Sequence, residues 1–309
     1  MSKKATIGLI GCDFHHGTVL LRELLHLEAE VLVVDPSEEN RMESIKIGAA
    51  EAVSCLDELP KVRGVVIATP PAKHRETVSE LLPLKVPVLT DRPFTTDTTA
   101  AEKLNEEGGE RIYVSHPMRY HPGVELLAKI AASNELGPVE WVRLTRTHWL
   151  LPSPEMEPVA SRLSTDLSII LEILGVVPEP VSAIAERHRG AVAGVVACLG
   201  DDPKVVIESS GRYCDQRGEI RLHCADGVAT LPEINSVYLE ITRDRAASLK
   251  GVAEPERRSF SPSNPRLRLL EDFLNFARNR RRSHPRSSAA EALLIGRIAD
   301  KIRVRGGIA

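Results

Sequence analysis

Gly11 and Asp35 are spaced as the two ends of a dinucleotide site. Gly11 closes an apolar run at 6–10, and Asp35 closes a second one at 30–34. An open parallel sheet holds a dinucleotide where a glycine turn lets backbone approach the pyrophosphate. An acid ending the second strand then takes the ribose. A carboxylate in that place accepts from both ribose hydroxyls and repels a 2′-phosphate, so NAD is favoured over NADP. The loop departs from G-x-G-x-x-G, because Asp13 and His16 stand where the second and third glycines belong and Gly17 comes one residue late. Asp13 adds bulk and like charge where backbone approaches the pyrophosphate. Two outcomes stay open. The loop takes another course, with Gly11, Asp13, Phe14 and His15 still lining the dinucleotide and a histidine offsetting the charge, or the site is empty or repurposed.

Two further polar segments follow apolar strands, Ala68-Thr69-Pro70-Pro71 and Asp91-Arg92-Pro93. Both fall where an open α/β sheet presents its ligands. Among the histidines, His74 starts a helix and is placed to touch cofactor or backbone. His148 ends a strand, and imidazole has the pKa range for acid–base work. His116 is a second candidate, although the adjoining Pro117 also fits a simple turn. The histidines show no metal-ligand spacing, and the five cysteines form no C-x-x-C pair, which reads as reduced thiols and no metal site.

These residues need a frame. Apolar runs at 6–10, 30–34, 62–68, 86–90 and 111–114 alternate with helical patterns, Leu20, Leu21, Leu24, Leu25 and Leu27 covering one helix face. Such alternation predicts a doubly wound parallel sheet. After His116 the pattern changes. A Pro-started helix at 122–132 leads into strands at 139–147, 181–187, 192–199, 204–213, 219–224, 228–231 and 237–241, with one helix at 164–174 among them. This predicts an α+β domain with a mostly antiparallel open sheet. Helices at 265–279 and 288–303 close the chain, the second opened by the capping-box pair Ser288 and Glu291. The expected domains are 1–118 and 119–309. The Pro- and Glu-rich 152–158 reads as a loop, and the arginine run within 278–286 as a solvated helix end.

The composition is that of an ordinary globular protein: 309 residues, 42% hydrophobic, 27% charged, net charge −3. That balance argues against nucleic-acid or polybasic membrane binding. No run is long and apolar enough for a membrane span, and the first residues enter a strand without a signal-peptide core, so a cytoplasmic location is expected.

Several stretches together resemble the Gfo/Idh/MocA oxidoreductases along the whole chain. VVIATPPAKHRETV is similar to that family's strand-turn-helix beside the cofactor. LTDRPF stands where the family carries E-K-P, and YVSHPMRYHPGVELL, ELGPVEWVRLTRT, LHCADGVATL and the closing helices follow its pattern. The resemblance implies an N-terminal NAD(P)-binding Rossmann domain, with Ala68, Thr69, Pro70, His74, Asp91 and Arg92 at the cofactor. It also implies a C-terminal domain whose sheet forms a substrate floor on one face and often an oligomer contact on the other. Hydride transfer to or from a sugar-like carbinol is the implied chemistry. Two positions depart. Arg92 replaces the family lysine, and arginine cannot shuttle a proton. Counting back from Leu174-Gly175, Thr165 replaces the histidine of D-x-G-x-H-x-x-D, with Ser161 and Ser168 at its acids. The candidates left are Arg92, His148, Tyr120 and Thr165 as catalytic residues, with His116, Arg119 and Trp149 at substrate. A divergent oxidoreductase and a non-redox descendant of the fold both stay open.

Overall fold

The computed structural model describes residues 5–13, 16–95, 97–148, 158–212, 216–243, 254–279 and 284–308. Phe14, His15 and Trp149 lie outside the described residues. The chain divides into two compact units, 1–117 with 265–294 and 118–264 with 295–309.

In the first unit six strands, β1 (Thr6–Ile10), β2 (Glu30–Val34), β3 (Glu51–Val53), β4 (Gly64–Ile67), β5 (Val88–Thr90) and β6 (Ile112–Val114), form one sheet in the order β3-β2-β1-β4-β5-β6. Every pairing is parallel. The central strands are buried on both faces, as Val65, Val66 and Ile67 are at 2% exposure or less, because helices cover both sides. Those helices include α1 (His16–His26), α2 (Glu38–Ile47), α3 (His74–Leu81) and α4 (Thr98–Gly108). The strand order reverses between β1 and β4, so the turns leaving these two strands adjoin at the carboxyl edge, the ligand position of such sheets. The late helix α7 (Pro265–Arg278) joins this unit. Arg266 grips Glu23 of α1 through two nitrogens at 2.7 Å each, and Arg278, half-buried, donates to the Leu27 carbonyl at 3.5 Å.

The second unit holds α5 (Pro122–Ser133), α6 (Pro158–Leu174) and an eight-stranded sheet. Its strands are β7 (Val139–Thr147), β8 (Pro180–His188), β9 (Ala191–Leu199), β10 (Lys204–Ser210), β11 (Arg217–Cys224), β12 (Gly227–Leu231), β13 (Tyr238–Arg243) and β14 (Glu256–Ser259), in the order β14-β13-β12-β11-β7-β10-β9-β8. All pairs are antiparallel except the central β7–β10, which runs parallel from Lys204 opposite Trp141 to Ser210 opposite Thr147. Alternate residues of these strands, including Val142, Leu144, Val205, Ile207, Ile220 and Leu222, are fully buried and form one core with Leu163, Leu167 and Ile170 of α6. The other parity carries Ile184, Val196, Glu208, Thr145 and Glu219 across five strands in one row. The helix α8 (Ala289–Arg305) ends the chain behind its capping box, where the Ser288 amide donates to Glu291 at 2.8 Å and the Glu291 amide to Ser288 Oγ at 3.3 Å. No helix among the described residues is long and apolar enough to cross a membrane.

Candidate active site

At the carboxyl edge of the parallel sheet, Gly11 has φ +85°, and a Cβ there would lie 3.3 Å from the Ala68 carbonyl carbon and from the Thr69 amide. Only glycine takes that conformation at no steric cost. The Cys12 amide donates to Asp35 Oδ2 at 2.7 Å, tying the first turn to the end of β2. Asp35 is nearly buried, and its Oδ1 also accepts from the Ser37 amide and Asn40 Nδ2, at 2.9 and 3.1 Å.

Gly17 does the close-packing work, since a Cβ there would sit 2.4 Å from Cys12 Cα and 2.7 Å from the Gly11 oxygen. Asp13 caps α1. Its Oδ1 accepts from the amides of His16 and Gly17 at 2.8 and 2.9 Å. These are helix-end donors of the kind that hold a pyrophosphate in other Rossmann sites, and here a carboxylate of the chain itself receives them. His16 Nε2 lies 3.4 Å from Asp91.

The exits of β4 and β5 are held by one side chain. His74, fully buried, places Nε2 2.9 Å from the Thr69 carbonyl and Nδ1 2.9 Å from the Pro93 carbonyl. Both neighbours are acceptors, so both contacts are hydrogen bonds only when both ring nitrogens carry protons. The Arg92–Pro93 bond is cis. Arg92 Nη1 lies 3.6 Å from Asp91 and donates to the Ser115 carbonyl at 3.4 Å. Two buried polar atoms at this edge, Thr69 Oγ1 and Arg92 Nε, have no hydrogen-bond partner among the described residues. Buried polar atoms are ordinarily satisfied, so these two are groups that a polar ligand could pair. His116 is buried in the same unit.

In the second unit, Arg119 donates from Nε to Glu172 at 2.9 Å, an almost buried pair joining the approach to α5 with α6. Tyr120 and Thr165 are also buried. His121 caps α5, accepting from the Gly123 amide at 3.1 Å. His148 follows β7, and its Nε2 accepts from Arg162 Nη2. Burial first, then the charges of Arg162 and Arg146, push the His148 pKa below its ordinary value. The ring is therefore a neutral acceptor near pH 7, with Nε2 engaged. Asp166, fully buried on α6, lies 2.8 Å from Arg146 Nη1 without an aligned N–H, and burial raises its pKa against the opposing effect of both arginines.

Sequence reading passed over Arg146 and Arg162, and set Asp166 aside because helical geometry turns it roughly 100° from Thr165. The available signal was parity and spacing. Arg146 is the next inward position of β7 after Leu144, and Arg162 and Asp166 stand four apart on a helix that is otherwise apolar on that side.

The parallel sheet with helices on both faces, its strand order and its glycine–acid pair define the dinucleotide-binding Rossmann class of fold. Residues 5–111 match the model of the Gfo/Idh/MocA oxidoreductases, an oxidoreductase family with an NAD-binding Rossmann fold. A curated relative, UDP-N-acetylglucosamine 3-dehydrogenase of Acidithiobacillus ferrooxidans, is 23% identical over 226 residues, 70% of this chain and 71% of the relative. A solved structure of that enzyme superposes with a TM-score of 0.82 at 21% identity, covering 98% of each chain. An oxidoreductase from Agrobacterium radiobacter, solved with NAD+, L-tartaric acid and magnesium, gives 0.83 at 15% identity, covering 99% of this chain and 97% of the other. Levoglucosan dehydrogenase in complex with NADH and levoglucosan gives 0.81 at 14% identity, covering 99% and 98%. At these identities the superpositions establish the shared fold.

Proposed function

We propose that the protein is an NAD-dependent oxidoreductase acting on a small polar, sugar-like carbinol or carbonyl. The observation that carries this reading is the pair of unpartnered buried atoms, Thr69 Oγ1 and Arg92 Nε, at the carboxyl edge beside the Gly11 turn. Gly11, Asp35, Thr69 and Asp91 would hold the dinucleotide, with Ala68, Pro70 and His74 shaping its floor. Bound there, NAD supplies the hydride acceptor and NADH the donor. Arg92 would orient the reacting oxygen and stabilise negative charge developing on it. A guanidinium does not give up its proton in water, so Arg92 orients and does not carry the proton. Tyr120 and Thr165 are the hydroxyl candidates on the second unit. His148, with Nε2 committed to Arg162, serves there as a positioning group. His116 and Arg119 complete the candidate set for substrate.

One observation favours a second reading, a non-redox descendant of the fold: Asp13 takes the helix-end donors a pyrophosphate would use. NADH titration separates the two. The first reading expects a rise in melting temperature at millimolar NADH or NAD through ligand linkage, and no shift with either sinks it.

We further assign a homo-oligomer to the outer face of the eight-stranded sheet. Ile184, Val196 and Trp141 are exposed there at 73%, 42% and 42%, and the neighbouring row alternates into charged residues that can pair with a second copy. Cytoplasmic residence accords with Cys12, Cys55, Cys198 and Cys224, which are free thiols.

A further inference from the structure

Polarity in the second unit changes at one rung. Val142 and Leu144 on β7, and Val205 and Ile207 on β10, are fully buried and apolar on the face toward α6. The next inward residues, Arg146 and Ser209, are directly paired across the two strands. His148 follows on the same parity, its amide donating to the Ser210 carbonyl at 3.1 Å. From α6 come Arg162 and Asp166, one turn apart. Arg162 is only 6% exposed and makes two bonds to neutral acceptors, from Nη1 to the Ser210 carbonyl at 2.9 Å and from Nη2 to His148 Nε2. Arg146 makes the 2.8 Å contact to Asp166.

Among the described residues the cluster therefore has two guanidiniums and one carboxylate. A single arginine would suffice to pair Asp166. The second is hydrogen-bonded under protein by neutral partners only; burial first and then Arg146 lower its pKa to about 10, against the opposing pull of Asp166. Keeping a charge out of water without a counter-charge is costly. The excess is also poised to be used. The Arg146 side chain is 21% exposed, which opens the cluster to solvent, and guanidinium forks match the planar oxygens of carboxylates and phosphates.

The geometry points to an anion subsite: Arg146 and Arg162, set by Asp166, His148 and Ser210, receive a carboxylate or phosphate group carried by the substrate. This rests on reading the second unit as the substrate side. The substrate class becomes an acidic or phosphorylated sugar.

The test is calorimetric titration of the whole protein with D-glucuronate, D-glucose 6-phosphate and neutral D-glucose, with and without NADH. One anionic sugar should bind at least about tenfold more tightly than glucose, as expected for charge-assisted hydrogen bonds, and should weaken with added salt. Glucuronate binding identifies a carboxylate and glucose 6-phosphate binding a phosphate. Arg146→Lys and Arg162→Gln should each weaken that binding at least about tenfold, with NADH affinity and far-ultraviolet circular dichroism unchanged. Should Arg162→Gln fail to fold, Arg162→Lys takes its place. Equal binding of glucose, no binding of either anion, or anion binding unaltered in the variants overturns the subsite. A missing NADH signal with anion binding intact would instead strike the dinucleotide reading alone.

Discussion

Asp13 is the residue on which the dinucleotide question turns. Its carboxylate satisfies two amides at the start of α1, so a pyrophosphate arriving there must displace a negatively charged group already bound. Asp13→Gly removes that competitor and frees the donors. The expected result is NADH affinity raised by about tenfold, since each helix-end charge interaction is typically worth ~0.3–1 kcal/mol and the like charge is lost as well. The melting temperature without NADH should fall, because losing an N-cap carboxylate to glycine costs a few tenths of a kcal/mol. Fluorescence titration of NADH reads the first and a thermal scan the second. Unchanged affinity would mean that Asp13 does not lie on the pyrophosphate path. Asp35 carries a double duty at the same scale: three donors from its own chain already lean on the carboxylate that would take the ribose.

At the scale of elements, the junction of β1 and α1 depends on Gly17. A methyl group there would stand 2.4 Å from Cys12 Cα, a distance neither backbone can accept without moving the helix. Gly17→Ala should destabilise the protein by about 1–3 kcal/mol and disturb the Cys12–Asp35 clamp. Chemical denaturation measures it, and a stability equal to the parent would show that the helix can shift freely. Much of the element pattern was legible beforehand. The five long apolar runs of the first domain and the capping box of Ser288 and Glu291 appear where expected, because strand burial and helix caps are local properties. The start of α6 was not: the helix begins at Pro158, the last residue of the stretch read as a loop, where a helix was expected only from 164. Strand β3 was also passed over, since Glu51–Val53 is short and only partly buried. The expected solvated arginine at 278 is instead half-buried against α1, a contact that only packing creates.

At the scale of the whole molecule, stability should depend on pH through His148. Burial and two nearby guanidiniums depress its folded pKa, whereas the unfolded value is about 6.5. The contribution is therefore fully present above about pH 6.5 and is lost as pH falls through the folded pKa, because the unfolded chain binds the proton first. His148→Gln keeps an acceptor for Arg162 and should flatten this acid-side decline in melting temperature, while an identical decline would assign it elsewhere. The outer sheet face makes a second prediction. Ile184→Asp buries no charge in the single chain, yet places one in the proposed contact between copies. Light scattering should show the assembly reduced to a smaller species, and an unchanged mass would place any oligomer contact on another surface.

The sequence by itself determined the alternating strands and helices and the glycine and acid flanking the first crossover. These follow from periodicity and local spacing, which act over a few residues. The tertiary structure alone decided that Asp13 caps α1 and that Gly17 replaces the missing glycine in packing. It alone paired β7 with β10 in parallel, setting Arg146 beside Ser209 under Arg162 and Asp166. Strand parity tells which residues point inward, but which helix covers them is set by how distant segments bury their apolar faces together. Parity and spacing mark each residue of the cluster singly, but that two strands and a helix bring them together is decided only by packing.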